Sequence, residues 1–403
     1  MPGKKRNMTT QEALSGIRIY DASQGVAGPH AAMLMALNGA DVIKVEPPGG
    51  DWGRVLGRRE NYQTIHFYAF NRAKRSIVID MSKPQGRELS ERIAGNCDVF
   101  VESFRPGVAA RIGLGYDALS KINPGLVYLS VSGFGQVGPY RERSGVDGLL
   151  QAYSGMMVMS GGDGPPFRQN IIAIDIMTGV YGFTAVCTAL MRRAKTGKGA
   201  NLDVNLMQTA AAFQASKIME FVDEGGNPPP LYTPSGIFET KDGYMLVSAM
   251  RDAHFIALCG VIDRPDIGSS PLYIDIPSRN ENAKSLVIEL KAEFTKQDTG
   301  YWIKRLLDAG VMAEKVNDYG DWLDDEHAKA VNAYEWVDHP DFGRLPVANI
   351  PGFLPLRDTQ DRVKAPDPGE HSREILKGFD MSEDTVEKLI ADSVVQELDK
   401  YES

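Results

Sequence analysis

The chain has 403 residues, of which 43% are hydrophobic and 24% charged, and its formal net charge is −9. This length favours two domains over one small core, and the acidic balance argues against a general nucleic-acid binder, whose surface is basic. The three cysteines lie far apart in apolar sequence and form neither a CxxC pair nor a zinc spacing. We therefore expect reduced core cysteines in a cytoplasmic protein, and the basic start of the chain has no apolar stretch behind it that would predict a secretory signal.

Short buried strands alternate with helical patterns in the first half of the chain. Apolar, β-branched residues bounded by turn residues predict strands at Ile17–Asp21, Asp41–Glu46, Asp98–Glu102 and Leu126–Val131. Pro29–Asn38 and Gln85–Ile93 have the apolar spacing of helices. This alternation predicts a doubly wound α/β sheet of parallel strands, and in such sheets ligands bind where the strands end at their carboxyl termini.

Basic residues and glycines gather in the stretches that follow these strands. The basic residues there are Arg54, Arg58, Arg59, Arg72, Lys74, Arg75, Arg105 and Arg111. One interpretation is an ordinary solvated surface. The other is a site for a multiply charged anion, such as a nucleotide with phosphates, bound by guanidinium groups and loop amides.

Two glycine motifs have the form of nucleotide-binding loops without their context. Gly133–Gly138 is a GxGxxG directly after a predicted strand, but a proline and a charged run follow it in place of an amphipathic helix. Lys195–Gly199 lacks the glycine that a phosphate-binding loop has at position 192, and we interpret it as a turn before a strand at Leu202–Val204. Neither motif predicts a nicotinamide or a nucleoside triphosphate site.

An apolar stretch from Ile171 to Met191 contains one residue that is charged at neutral pH, Asp175. It is long enough to be considered as a membrane span, but the aspartate, Gly179 and Gly182 favour a buried helix that starts near Asp175 and packs closely on a neighbour. The carboxylate has two compatible interpretations. It is a helix cap, or it is a nucleophile that burial has stripped of water.

The second half begins with the linker Glu224–Pro230. Beyond it, alternating residues on either side of Lys241-Asp242-Gly243 predict a hairpin, and helical patterns follow at Asp252–Gly260, Glu281–Phe294 and Tyr301–Ala309. Short strands and two tail helices end the chain. We predict domain segments at residues 1–223, 224–318 and 319–403.

Six segments in this order resemble the class III CoA-transferases, which include the formyl-CoA:oxalate and crotonobetainyl-CoA:carnitine transferases. The segments are Ala27–Asp51, Phe70–Met81, Val101–Leu119, Ser132–Tyr140, the Asp175 stretch with its TGKG sequel, and Pro366–Leu376. The resemblance implies a large Rossmann-like domain built from both chain ends and a smaller α+β domain between them. It also implies an interlocked-ring homodimer, with a heteromer that includes a paralogous subunit as the alternative.

The resemblance implies that acyl-CoA and a carboxylic acid are the substrates, with no permanently bound cofactor, no metal and no membrane or nucleic-acid partner. Asp175 matches the family's catalytic aspartate. The positions that match family CoA contacts are Val26, Lys74, Phe104, Arg105 and Arg111. Candidates for the substrate pocket are Tyr140, Asp147 and Gly236, together with Tyr232 and Arg251.

Two departures from the family pattern bear on the substrate. The glycine run of the oxalate enzymes is reduced to Gly236, so oxalate is not the expected acceptor. The histidine of the related racemases is replaced by Val146. We expect an acyl-CoA:carboxylate CoA-transferase whose acceptor is a dicarboxylate such as a succinate derivative. The alternatives are a 2-methylacyl-CoA racemase and a CoA-ester-binding subunit without activity of its own.

Overall fold

The computed structural model of the chain describes residues 13–161, 164–226, 228–359 and 362–398. Its strands are β1 (Arg18–Asp21), β2 (Asp41–Glu46), β3 (Arg59–Glu60), β4 (Gln63–Thr64), β5 (Arg75–Ile79), β6 (Val99–Glu102), β7 (Val127–Ser132), β8 (Ala200–Asn205), β9 (Ser235–Glu239), β10 (Tyr244–Ser248), β11 (Met312–Lys315), β12 (Tyr334–His339), β13 (Gly343–Ala348) and β14 (Val395–Gln396). Its helices are α1 (Ala27–Leu37), α2 (Ile65–Asn71), α3 (Pro84–Gly95), α4 (Val108–Arg111), α5 (Tyr116–Ile122), α6 (Asp147–Tyr153), α7 (Met156–Gly161), α8 (Ala173–Thr196), α9 (Leu206–Phe213), α10 (Ala215–Asp223), α11 (Asp252–Val261), α12 (Pro265–Gly268), α13 (Ile276–Glu281), α14 (Ala283–Phe294), α15 (Thr299–Asp308), α16 (Tyr319–Asp324), α17 (Glu326–Ala330), α18 (Ser372–Lys377) and α19 (Glu383–Ala391).

The main sheet has the strand order β14-β5-β2-β1-β6-β7-β8. All of its pairings are parallel except that of β14 with β5. Apolar residues alternate between its two faces: Ile19 of β1 packs in a core with α1 and α8, whereas Tyr20 packs in a core with α3, α5, α18 and α19. Both faces are therefore covered, which explains the nearly continuous apolar sequence of the strands. The predicted doubly wound parallel sheet is confirmed.

The strands β5 and β14 are not among those predicted from the sequence. β5 begins at Arg75, inside the basic cluster, so its charged start conceals the apolar residues Ile77–Ile79 that follow. β14 is two residues long and takes its place only by pairing with β5. A pairing over such a distance in sequence leaves no local pattern.

Helix α8 is the apolar helix predicted to start near Asp175, which lies in its first turn. A Cβ atom at Gly179 would lie 2.7 Å from His30 Nδ1 of α1, and one at Gly182 would lie 3.2 Å from Ala31 Cβ. The expected close approach of a neighbour is thus confirmed, with α1 as that neighbour. By length and composition alone α8 could cross a membrane, but Ile174 and Val186 pack against the main sheet as in the core helix of a globular unit.

The chain forms two compact units, Met1–Ala215 with Asn332–Ser403 and Ser216–Val331, here called the large and the small unit. Within the small unit, β9 and β10 form the predicted hairpin and β11 extends it to an antiparallel sheet. Phe238, Val247, Phe294 and Trp302 build its core. The domain boundaries proposed from the sequence, after residues 223 and 318, stay predictions.

Candidate active site

A cavity of about 270 Å³ lies in the large unit where β1, β6 and β7 end. Its wall is formed by Gln24, Val26, Ala27, Gly28, Trp52, Ser103, Phe104, Arg105, Pro106, Val131, Ser132, Gly133, Arg141, Arg143, Ser144, Gly145, Val146, Asp175 and Leu206. The carboxyl ends of the parallel strands are the expected place for a ligand. Among the described residues of the wall, Asp175 carries the sole carboxyl group, and three arginines belong to the same wall.

The loop after β1 is held tightly against the rim of the cavity. Gly25 has a φ of +82°, and a Cβ atom there would lie 2.0 Å from Trp52 Cζ2, so glycine alone fits beneath the indole ring. The Asp51 carboxylate accepts hydrogen bonds from the Gly25 and Gly53 N–H groups at 2.9 and 2.8 Å. One buried side chain thereby joins the loop after β1 to the loop after β2.

A network of buried ion pairs lies beneath these loops. Its pairs are Lys44–Asp51 at 2.6 Å, Arg54–Glu46 at 2.7 Å and Lys74–Asp21 at 2.8 Å. Burial favours a neutral carboxyl group, yet the Arg54 guanidinium outweighs it and lowers the pKa of Glu46 to about 2. Arg54 and Lys74, two of the cations considered for an anion site, therefore hold the fold together beside the cavity.

The Lys74 ammonium donates all three of its hydrogen bonds within the protein. The acceptors are Asp21 Oδ2 at 2.8 Å, the Pro29 carbonyl oxygen at 2.9 Å and Asn71 Oδ1 at 2.8 Å. Burial lowers the pKa of Lys74 to about 8. This geometry leaves no donor for a phosphate group, and so it does not support the expectation that Lys74 contacts CoA directly.

Asp175, which is partly buried, is positioned by a fully buried aspartate, Asp147, at the start of α6. Asp147 is 2% exposed, and its Oδ2 accepts hydrogen bonds from the N–H groups of Ile174 at 2.8 Å and Asp175 at 3.2 Å. Its Oδ1 accepts one from Gln151 Nε2 at 2.5 Å. Asp147 thus supplies the cap that the first turn of α8 needs.

Burial, and then the negative charge of Asp147, raise the pKa of Asp175 to about 7. A carboxylate in such a place has few water molecules around it and is a stronger nucleophile than one in solution. The positive end of the α8 dipole lies at the same turn and favours the ionised form. The combination is typical of a functional carboxyl group.

The loop between β7 and α6 contributes the cations Arg141 and Arg143 to the wall of the cavity. Arg105 Nη2 donates to Ser144 Oγ at 3.0 Å. The Arg143 guanidinium lies 5.5, 5.4 and 5.8 Å from the ring centroids of Phe134, Tyr140 and Tyr153. These rings restrain Arg143 from one side. Tyr140, a predicted pocket residue, therefore contributes to the cavity through Arg143 and does not line it.

The structure brings together four of the residues singled out from the sequence, Val26, Phe104, Arg105 and Asp175, in one cavity. Asp147 lies beneath them, and Arg111 is exposed at the end of α4, outside the residues that form the wall. Gly236 lies in β9 of the small unit, to which Tyr232 and Arg251 also belong. The functional role of each of these residues stays a prediction.

Arg141 and Arg143 were not among the candidate residues. Their signal in the sequence is the charged run that follows the GxGxxG motif, which argued against a dinucleotide site and also marked a basic loop after β7. No amphipathic helix opens at Gly138, as expected. Within the described part of the chain, no three His, Cys, Asp or Glu side chains are placed to hold a metal ion.

Comparison with known proteins shows the family to which the whole chain is similar. The model of CoA-transferase family III matches residues 14–372. The succinyl-CoA:glutarate CoA-transferase of Mus musculus is 31% identical over 96% of this chain and 91% of its own length. The acetyl-CoA:oxalate CoA-transferase of Acetobacter aceti is 35% identical over 73% of this chain and 78% of its own. The crystal structure of a CAIB/BAIF family protein from Brucella suis superposes with a TM-score of 0.79 at 29% identity, covering 92% of this chain and 100% of that one.

Proposed function

The chain belongs to CoA-transferase family III and is a CoA-transferase, and from that premise we propose that Asp175 is its nucleophile. The observation that carries the proposal is the position of this carboxyl group. It lies in the first turn of α8, in the wall of a cavity with three arginines, and its pKa is raised to about 7. The enzyme would move CoA from an acyl-CoA thioester to a carboxylic acid.

The reaction proceeds through two kinds of covalent intermediate. The Asp175 carboxylate attacks the donor thioester carbonyl, the C–S bond breaks, and an acyl-aspartyl anhydride and a CoA thiolate form. The thiolate attacks the aspartyl carbonyl and releases the donor acid, which leaves an aspartyl-CoA thioester. The acceptor carboxylate displaces the thiolate to give a second anhydride, and the thiolate then attacks the acceptor carbonyl and frees Asp175. In each step the reacting carboxylate or thiolate carries one negative charge and the group that leaves carries one, so the charge balances.

A carboxylate suits this sequence because the anhydride and the thioester are both activated acyl groups that interconvert without a large change in energy. The Asp147 carboxylate supports it without touching the substrate. Its two hydrogen bonds to the start of α8 fix the backbone of Asp175. Burial, with the Asp147 charge as a second cause, keeps the pKa of Asp175 high, so that the carboxylate is more basic than a solvated one.

We propose a dicarboxylate as the acceptor. The attack of Asp175 on the thioester needs little positive charge nearby. Three arginines, Arg105, Arg141 and Arg143, nevertheless line the cavity. Guanidinium groups bind carboxylates and phosphates with paired hydrogen bonds. One or two of them can serve the phosphates of CoA while another binds the second carboxylate of the acceptor. The name of the mouse relative, which specifies glutarate, agrees with this substrate class.

CoA enters, in this proposal, along the loops after β1 and β6. Val26 and Phe104 offer apolar contacts in the cavity wall, and Arg105 offers a charged one. Arg111, exposed at the end of α4, supplies a further positive charge for the part of CoA that extends out of the cavity. Lys74 acts indirectly, by holding Asp21 and the Pro29 carbonyl beneath the loop.

We further propose an interlocked homodimer in the cytoplasm, with a heteromer as the alternative assembly. Gly236, in β9 of the small unit, would contribute to the acceptor pocket in this assembly. Support comes from the exposed apolar residues of α8, among them Tyr181 at 39% and Met191 at 68%. Such a face is typical of an interface.

The racemase and the inactive subunit are less favoured alternatives. Proton transfer at an α-carbon needs an acid and a base within reach of it, and a histidine serves well. Val146 lines the cavity where the racemases have that histidine, and none of the described wall residues is a histidine. An aspartate with a raised pKa at the cavity is of no use to a subunit that only binds CoA esters.

Covalent trapping tests the nucleophile. Hydroxylamine added together with an acyl-CoA converts an activated aspartyl group to a hydroxamate, so we expect a mass increase on the peptide that contains Asp175 and none without acyl-CoA. Asp175→Ala should abolish both trapping and CoA transfer. Asp384→Ala, which removes an exposed carboxylate in α19, should change neither. Full activity in Asp175→Ala would overturn the proposal.

A panel of acceptors tests the substrate class. The purified enzyme is incubated with succinyl-CoA or acetyl-CoA and one of several mono- or dicarboxylates, and the products are identified by mass spectrometry. We expect CoA esters of dicarboxylates longer than oxalate to form fastest. Preferential transfer to oxalate or to monocarboxylates would contradict the assignment and leave the role of Asp175 untouched.

A further inference from the structure

The loop that follows β6, residues 103–107 and here called the β6 loop, separates two cavities of the large unit. Its residues 103–106 line the cavity that contains Asp175. A second cavity, of about 450 Å³, lies beside the first, and Arg105 and Pro106 belong to its wall as well. Because open space borders this part of the loop on two sides, packing alone does not fix its position.

Glu102, the last residue of β6, holds the start of the β6 loop. It is 4% exposed, and its Oε2 accepts a hydrogen bond from the Phe104 N–H at 2.7 Å. The hydroxyl of Ser130, its neighbour in β7, donates a second hydrogen bond to the carboxyl group. A hydrogen bond to an ionised acceptor is about twice as strong as one between neutral groups. One buried side chain thus fixes the second residue after it.

Glu102 differs from the other buried carboxylates at this end of the sheet. Asp21, Glu46 and Asp51 each pair with a buried lysine or arginine, whereas in the described part of the chain Glu102 is held by neutral donors. Burial raises the pKa of Glu102 to about 7, against these hydrogen bonds, which lower it. At pH 8 the group is therefore mostly ionised. A buried charge without a counterion lowers stability, so the residue is better explained by what it holds in place.

The residue after Glu102 provides the second attachment of the loop. Ser103 Oγ accepts a hydrogen bond from the Gln24 N–H at 2.9 Å, which joins the β6 loop to the loop after β1. Phe104 and Arg105 follow directly and reach the cavity wall. The direction in which the chain leaves β6 therefore decides where these two side chains lie.

We propose that Glu102 is a positioning residue for CoA. Its carboxylate fixes the Phe104 N–H, so that Phe104 and Arg105 are held at the cavity before the substrate arrives. The inference rests on the proposed function, in which these two residues contact CoA. Glu102 is not one of the residues that line the Asp175 cavity, so its loss acts on the KM for acyl-CoA and leaves kcat little changed.

Steady-state kinetics at pH 8 test the role. Glu102→Asp keeps the charge but is shorter by one methylene group, so the carboxylate no longer reaches the Phe104 N–H, and the KM for acyl-CoA should rise about 10-fold. Glu102→Gln keeps the length and one accepting oxygen, and should restore most of the wild-type KM. A wild-type KM in Glu102→Asp would overturn the proposal, and so would a KM in Glu102→Gln as high as that in Glu102→Asp.

Asn123 offers a matched control ahead of β7. Its Oδ1 accepts a hydrogen bond from the Gly125 N–H at 3.0 Å, which is the same two-residue spacing, at the opposite edge of the sheet. Asn123→Ala should lower the unfolding temperature and leave KM and kcat unchanged. A rise in KM equal to that in Glu102→Asp would show that the loss of any such hydrogen bond has this effect, and would refute the specific role.

A double variant tests whether Glu102 acts through Arg105. Arg105→Gln should raise the KM by a clearly smaller factor in Glu102→Asp than in the wild type, because the arginine is already displaced there. Equal factors would refute the coupling. An unchanged KM in Arg105→Gln alone would instead count against Arg105 as a CoA contact, so the two failures are distinguishable. If Glu102→Asp does not fold, a crystal structure of the wild-type enzyme with free CoA decides, and CoA bound without contact to residues 103–106 would refute the proposal.

Discussion

Asp175 combines two requirements that oppose each other, a high basicity and an ionised state. Because burial and Asp147 raise its pKa to about 7, the ionised fraction increases as the pH rises through that value. We therefore expect kcat/KM to rise with pH through about 7 and to level off above it, as measured in initial-rate assays with a fixed acyl-CoA. Asp147→Asn keeps an oxygen that accepts from the Ile174 N–H but removes the charge, so the midpoint should move to lower pH. An unchanged midpoint in Asp147→Asn would show that this charge does not act on Asp175.

The same raised pKa has a cost in stability. The carboxyl group is neutral below its unfolded pKa of about 4 in both states, but above that value the folded state resists ionisation until the pH passes about 7. Stability is therefore lost as the pH rises from about 4 to about 7. Asp175→Asn, which stays neutral, should be more stable than the wild type at pH 8 by about 1–3 kcal/mol and no more stable near pH 4. Chemical denaturation at the two pH values measures this difference, and equal gains at both would exclude an origin in ionisation.

Arg105 and Arg111 differ in their surroundings although both were expected to bind CoA. Both are exposed, but Arg105 lines the cavity and contacts Ser144, whereas Arg111 lies outside the wall. A charge-assisted hydrogen bond to a phosphate contributes about 1.5–3 kcal/mol, so Arg105→Gln should raise the KM for acyl-CoA about 10-fold or more. Arg111→Gln should have the smaller effect, because its partner is more solvated. Steady-state kinetics at saturating acceptor distinguish the two, and an unchanged KM in both would remove these arginines from the CoA site.

The close packing of α1 against α8 fixes the position of the proposed nucleophile, Asp175. Gly179→Ala would place a methyl group 2.7 Å from the His30 ring, which is buried and bonded through Nδ1 to the Ile176 carbonyl at 3.1 Å. The helices must then separate, at a cost of about 1–3 kcal/mol. Because Asp175 lies one turn before Gly179, we expect kcat to fall together with the unfolding temperature.

A glycine in another helix provides the matched control. A Cβ atom at Gly260, inside α11 of the small unit, meets no atom within 4 Å. Gly260→Ala should therefore keep full activity and gain stability of about 1 kcal/mol or less from helix propensity. A loss of activity in Gly260→Ala, or none in Gly179→Ala, would contradict the role given to the α1–α8 contact.

Local patterns predicted those elements whose burial follows from their own residues. Strand β2 was predicted with its observed bounds because its apolar residues, Val42, Ile43 and Val45, fall on both faces. Helix α8 was predicted because its sequence is a long apolar run that contains a single charged residue near its start. The partners of Lys74 could not be predicted, since Asp21 and Pro29 reach it only through the fold. The restraint on Arg143 has the same origin, because Phe134 and Tyr153 lie on opposite sides of it in sequence and meet it in space.

At the scale of the whole molecule, both units have large apolar side chains that are exposed to solvent in the single chain. In α10, the exposed residues include Met219 at 65% and Val222 at 74%, and the helix has no buried residue. Met191 in α8 of the large unit is 68% exposed. These surfaces are typical of chains that are covered by a partner. They agree with the proposed homodimer.

An interlocked dimer differs physically from an ordinary one in how it dissociates. Two chains threaded through each other separate only when one of them unfolds, so the dimer should persist on dilution far below the dissociation constant of a surface contact. By light scattering we expect a mass near twice the 44.2 kDa of one chain, at every concentration tested. Two differently tagged preparations should exchange no subunits when mixed under native conditions and should form mixed dimers after joint denaturation and refolding, as detected by tandem affinity purification. Exchange at native pH and temperature, at a rate faster than unfolding, would show that the chains touch without being threaded, and the Asp175 chemistry would stand independently of that result.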